Sequence, residues 1–230
     1  MPEILSFEKA LTALNDHQKQ VMAKHWSEMA LSEHASIGSF SSFSLQLLSL
    51  AAPPKFLDMA HQAARDEIRH AQMCFAIASD YAGEMLSPGP LPLKGDLLGE
   101  LTPESILFAT IQEGCIGETL SAAELELAFK AAKVPRIQST LRTIIEEESV
   151  HAQLAWGVVQ WLLNEKPNLK TTAQAAFEPV LTGQTNPCPP LQAQNEPLHA
   201  HGYLDSHHRW HAHRKACREI IRPAALALLR

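Results

Sequence analysis

The sequence predicts an all-α protein: four long helices in two antiparallel pairs, one long crossover between the pairs, and a C-terminal helical extension. Apolar residues recur every three or four positions over four segments of about 30 residues. Prolines fall between those segments rather than within them. A Pro- and Gly-rich stretch separates the second segment from the third, dividing the four into two pairs.

The first helix is expected over about residues 16–50, which contain no proline and one glycine, Gly38. Pro53 and Pro54 end it and open the second helix, which runs to about Ala82 with Gly83 in the left-handed cap position. The third begins at Thr102-Pro103-Glu104, a capping residue followed by proline and an acid, and runs to about Lys133. Pro135 opens the fourth, which reaches about Asn164 before Pro167. The stretch from Glu84 to Leu101 is too long for a turn between neighbouring helix ends, but when extended it can return along a helix of about 45 Å. Residues 1–164 therefore read as a ferritin-like four-helix bundle with one long crossover. Residues 165–230 read as an extension packed on it, with a short helix near residues 171–181, a Pro-rich loop over 187–197 and a helix over 205–221.

A chain of 230 residues can bury a full core without disulfides. A composition 46% hydrophobic and 19% charged excludes disorder and fibrous classes. The net charge of −6 disfavours a broad nucleic-acid surface, although residues 205–230 carry six Lys or Arg against two acids. The N-terminal MPEILSFEKA lacks the basic start and apolar run of an export signal, and no uninterrupted apolar segment of about 20 residues exists to span a bilayer. Cys74, Cys115, Cys188 and Cys217 form neither a CxxC pair nor a disulfide framework. Reduced thiols, a cytoplasmic location and no membrane partner are the expectation.

The chemistry lies in acids and histidines placed on apolar stripes. Glu67-Ile68-Arg69-His70 and Glu148-Ser149-Val150-His151 are each Glu-x-x-His, which puts a carboxylate and an imidazole on one helix face. Glu33 precedes Glu67 by 34 residues and Glu113 precedes Glu148 by 35, so the two halves repeat one pattern at nearly equal spacing. Counted from the turns between helices, all six groups fall near mid-bundle, and Trp26, Ala30, Ile37, Leu141, Ile144 and Ile145 surround them with apolar neighbours. Four buried carboxylates without partners would cost several kcal/mol each. Two divalent cations would balance four carboxylates, and a set rich in oxygen with two imidazoles suits iron or manganese rather than structural zinc. The expected ligands are Glu33, Glu67, His70, Glu113, Glu148 and His151. Glu118, five residues beyond Glu113 and about 140° around the helix, breaks the equal spacing and is expected outside the ligand set.

On these residues the sequence resembles the ferritin-like carboxylate di-iron superfamily over about residues 16–164. Asp66-Glu67-Ile68-Arg69-His70 is similar to the acidic-Glu-x-Arg-His run of acyl carrier protein desaturases. Glu113-Gly114-Cys115-Ile116-Gly117-Glu118 has the Glu-x4-Glu spacing of the tRNA hydroxylase that acts on methylthio-isopentenyl-adenosine. The resemblance implies a bundle holding two iron ions, with manganese or a mixed iron and manganese pair as alternatives. It implies an oxidase or oxygenase that uses dioxygen to oxidise or hydroxylate a small organic substrate. A ferroxidase or iron-handling role is the alternative, with manganese catalase and tRNA hydroxylase further off. By the same resemblance Asp66 and Glu147 would orient the imidazoles. The absence of CxxC pairs means that electrons would come from an external donor.

Several further residues lie around this pattern. Gly114 and Gly117 each cost a helix about 1 kcal/mol, which points to open space beside the metals, to a π-bulge or to close helix packing. Cys74 reads as a small buried hydrophobe. His25 and His34 fall outside the repeat and read as structural. His199, His201, His207, His208, His211 and His213 could capture a metal ion but lack the carboxylates of the central pattern, and read as a solvated helix face.

Overall fold

The computed structural model describes residues 7–93, 98–183, 186–192 and 195–230. Residues 94–97 of the expected crossover, 193–194 of the expected Pro-rich loop and 1–6 of the N-terminal stretch lie outside the described residues. Among the described residues every regular element is a helix and none is a strand. Among the described residues no helix is long and apolar enough to cross a membrane.

A short helix α1 (Phe7–Thr12) precedes α2 (Asp16–Ser49), which starts at a capping box. The Asn15 side chain accepts from the Gln18 amide at 2.9 Å, and the Gln18 side chain accepts from the Asn15 amide at 3.0 Å. Helix α3 (Pro54–Ala82) ends on Gly83, whose φ of 72° is the left-handed cap conformation. The third long stretch is composite: α4 (Pro103–Ala109), a π-helical segment over Thr110–Glu118, and α5 (Thr119–Ala131). The Thr110 and Thr119 hydroxyls mark the two ends of the π segment, each donating at 2.7 Å to a carbonyl four residues back. The fourth stretch is α6 (Pro135–Glu165).

Helix α2 packs along α3, and α6 packs on α3, on α5 and on the π segment. After Gly83 the chain follows α2 in its N-to-C direction: Leu91 lies against Gly38, and the Leu98 carbonyl accepts from Gln46 Nε2 at 3.0 Å. This direction returns the chain to the end at which α2 stops, so α4 starts there and runs back. The core forms two apolar clusters. One, around Leu47, Phe56, Leu107, Val158 and Leu162, fills that end. The other, around Met22, Trp26, Tyr81, Leu125 and Ile137, fills the opposite end. The buried acids and histidines occupy the level between them.

The C-terminal segment covers both ends. Helix α7 (Lys170–Thr182) puts Phe177 into the first cluster, stacked on Trp156, and α10 (Arg222–Leu228) adds Ala225. Helices α8 (Glu196–His199) and α9 (Ser206–Ala216) cover the other end, where the Ala200 carbonyl accepts from the Lys133 amide at 2.8 Å. Gly202, at φ 85°, presses on Ile137, Leu141 and Trp26, leaving no room for a side chain. Tyr81 hydrogen-bonds His201 at 2.7 Å, tying α3 to this segment.

Candidate metal centre

Helices α2, α3 and α6 and the π segment each present acids to one buried point. Glu67 and His70 are 1% and 0% exposed, Glu148 and His151 2% each, and Glu33 8%, which is very low for ionisable side chains. Their polar atoms converge. His70 Nδ1 lies 3.6 Å from Glu33, 3.5 Å from Glu67 Oε2 and 3.5 Å from Glu148 Oε1. His151 Nδ1 lies 3.2 Å from Glu67 Oε1 and 3.5 Å from Glu148 Oε2. Glu67 and Glu148 thus each turn one oxygen to one imidazole and the other oxygen to the other. Glu118 completes the group on the His151 side.

The far sides of the rings are held by residues from the opposite helix. His70 Nε2 is 2.7 Å from Glu147 of α6, and His151 Nε2 is 3.5 Å from Asp66 of α3. Arg69 donates to both Asp66, at 2.9 Å, and Glu147, and Gln62 donates to Asp66 at 2.8 Å. With each Nε2–H donated outward, each Nδ1 faces the cluster, so that loss of its proton leaves the tautomer a metal-ligating histidine needs. Glu147 and Asp66 thus each contact the outward nitrogen of one of the two imidazoles. Arg69, which the sequence offered only as part of a run, joins the two halves of the pattern.

Glu113, one of the expected ligands, is exposed and lies outside the cluster, and Glu118 is the acid of this stretch that joins it. The buried face of this stretch carries Ile106, Leu107, Thr110, Ile111, Cys115 and Thr119. Glu113 sits two residues from both Ile111 and Cys115, on the opposite side, whereas Glu118 adjoins Thr119 on the buried side. Height along the helices agrees: Glu118 is thirteen residues before Ala131, and Glu148 is thirteen after Pro135. The equal-spacing repeat misled because the third stretch contains a π segment and a shorter half below the site. Gly114 serves close packing, since a Cβ there would overlap the Ala155 side chain, while one at Gly117 would meet only the Gln112 carbonyl at 3.4 Å.

The charges balance without a metal only through shared protons. Burial, then the neighbouring Glu67 and Glu148, pushes Glu33 up to about 8 against the pull of nearby His70. Burial and Glu148 push Glu118 up to about 11. Burial opposes charge on the imidazoles, yet the surrounding carboxylates outweigh it, Glu148 foremost, raising His70 to about 12 and His151 to about 9. Burial also opposes charge on Glu67 and Glu148, and the two histidines outweigh it and hold both carboxyls below the usual range. These directions favour protons on Glu33, Glu118, His70 and His151 in the absence of metal, positions that a bound cation would compete for.

Four atoms test the fit to metal. Glu67 Oε2, His70 Nδ1, Glu148 Oε2 and His151 Nδ1 are buried and have no hydrogen-bond partner, and all face the centre of the cluster. Unpartnered buried polar atoms are rare because each costs about 1–3 kcal/mol. Four of them pointing together, on two carboxylates and on two imidazoles that would give up a proton to a metal, are the donor set of a metal site. The cluster can hold a metal ion.

A cavity of about 1150 Å³ opens beside Glu118 and His151. Its walls come from α2 (Ile37, Gly38, Ser39, Phe40), the return segment (Leu91, Leu98) and α6 (Leu154). Cys74 is fully buried beside the acids, where burial and the charges of Glu33, Glu67 and Glu148 keep its thiol protonated. His25 packs edge-on to Trp26 and Tyr203, and burial lowers it to about 4. No family model, curated protein or solved structure matches the chain.

Proposed function

We propose that the chain is a ferritin-like four-helix bundle that holds two iron ions and uses dioxygen to oxidise or hydroxylate a small organic substrate. The observation that carries the reading is the convergence of the four unpartnered buried atoms of Glu67, His70, Glu148 and His151 on one point. Glu33 and His70 would hold one ion, and Glu118 and His151 the other. Glu67 and Glu148, each with one oxygen toward each imidazole, would help to hold both. Four carboxylates with two nitrogens and no thiolate favour iron, with manganese as the close alternative. Bound iron would supply the electrons and the open coordination positions that dioxygen chemistry needs.

The protein's own residues do the rest. Glu147 and Asp66 hold the Nε2–H of His70 and His151 and so aim each Nδ1 inward, with Arg69 fixing both acids at once. The two apolar clusters above and below exclude water from the acids. The cavity beside Glu118 is large enough for a drug-sized molecule, and its apolar walls with scattered serines suit a mostly apolar substrate. That cavity favours an organic substrate over iron itself as substrate.

The test is oxygen consumption by anaerobically iron-loaded protein, screened against apolar small molecules with an external reductant. Substrate-dependent oxygen uptake, with an oxygenated or dehydrogenated product by mass spectrometry, supports the reading. Iron turned over many times per chain and retained as mineral would instead establish iron handling.

A further inference from the structure

We propose that the C-terminal segment contains a second, separate metal site, in which Cys188, His207 and His211 bind one zinc ion with water in the fourth position. His207 and His211 are four residues apart on α9 and share a face, their ring centroids 4.6 Å apart. The loop before α8 lays Cys188 over that face. Its Sγ is 3.5 Å from His207 Nδ1 and 3.8 Å from His211 Nε2. With Zn–S of about 2.3 Å and Zn–N of about 2.0–2.1 Å, tetrahedral ligands are about 3.6 Å apart from sulfur to nitrogen, so both gaps fit one ion with little movement.

The loop is held in place independently of the thiol. Trp210 Nε1 donates to the Asn186 carbonyl at 2.9 Å, and the Gln192 amide donates to Asp205 Oδ2 at 3.4 Å. The same Asp205 caps α9 through the His208 amide at 2.9 Å. Loop and helix therefore share one fully buried anchor. A solvated face of histidines would not bring a thiol within reach of two rings across 19 and 23 residues. A thiolate with two imidazoles is the soft, nitrogen-rich set that zinc prefers, in contrast to the carboxylates of the central site. Binding at His207 Nδ1 takes the place of the proton shared with the Pro189 carbonyl, 2.8 Å away. The neighbouring trio of His199, Asp205 and His208 is a different case, since Asp205 there is engaged in the cap and in the 2.7 Å contact with His208.

The experiment is a cobalt(II) titration of the full chain, with Cys188→Ser and His211→Ala measured in parallel. Both positions are exposed, so neither change empties the core, and far-UV circular dichroism checks that the helices remain. The proposal expects a thiolate-to-cobalt charge-transfer band that saturates at one ion per chain and is displaced by zinc. It expects the band to vanish in Cys188→Ser, and zinc affinity to fall by at least about 100-fold in each variant, beyond the effect of losing an outer partner. Absence of the band in the wild-type chain would overturn the proposal, as would its survival in Cys188→Ser.

Discussion

Loading the central site at pH 7 is expected to release about four protons per chain. Without metal, Glu33 (about 8), Glu118 (about 11), His151 (about 9) and His70 (about 12) all carry protons at that pH. Glu67 and Glu148, held below the usual range, carry none. Ligation requires ionised carboxylates and neutral imidazoles, so those four protons leave as two divalent ions enter. Calorimetry of anaerobic ferrous or manganous binding, repeated in buffers of different ionisation heat, counts them. The count should fall toward two above pH 9, once Glu33 and His151 have released theirs. The same groups set the stability of the metal-free protein. Each of the four has a folded value above its ordinary one, so its contribution is complete below the ordinary value and is lost as pH rises through the folded one. Between pH 6 and 9 the ionised Glu67 and Glu148 contribute a constant amount, and the metal-free melting temperature should therefore fall over that interval. Release of one proton or none at pH 7 would refute this ligand set.

Glu118→Gln should weaken binding of the second ion by more than about 100-fold while Glu113→Gln leaves both ions bound, as read by equilibrium dialysis of the iron-loaded protein. Glu147→Gln should lower metal affinity by about 10–100-fold with little change in the metal-free fold, because it loosens the His70 ring without removing a ligand. Gly114→Ala should destabilise by about 1–3 kcal/mol in chemical denaturation, through the overlap with Ala155. Gly117→Ala, where the new methyl meets only ordinary contact, should come within about 1 kcal/mol of the wild type.

The long helices were legible because their signals are local. Pro54, Gly83, Thr102 and Pro135 stand at the boundaries where a fixed φ, a left-handed cap or a side-chain cap is needed. Five of the six expected site residues converge for a related reason: a Glu-x-x-His on an apolar stripe fixes both its face and its height. The sixth depended on an equal spacing between halves, and spacing measured through a π segment and unequal helices does not report height. The apolar stripe through Ile106, Leu107, Ile111 and Cys115 was the better guide, and it points away from Glu113. The tail histidines show the opposite limit. Their grouping with Cys188 depends on how a loop folds back over α9, and no periodicity encodes that. Asp205 and Trp210, which fix the loop, each make contacts about 13 to 24 residues away.

The most direct measurement is an anomalous-scattering map from crystals of the full chain loaded anaerobically with ferrous iron. Two iron peaks per chain are expected inside the cluster, one beside Glu33 and His70 and one beside Glu118 and His151, with Glu67 and Glu148 reaching both. No peak among these residues, or iron bound at Glu113 in place of Glu118, would contradict the account.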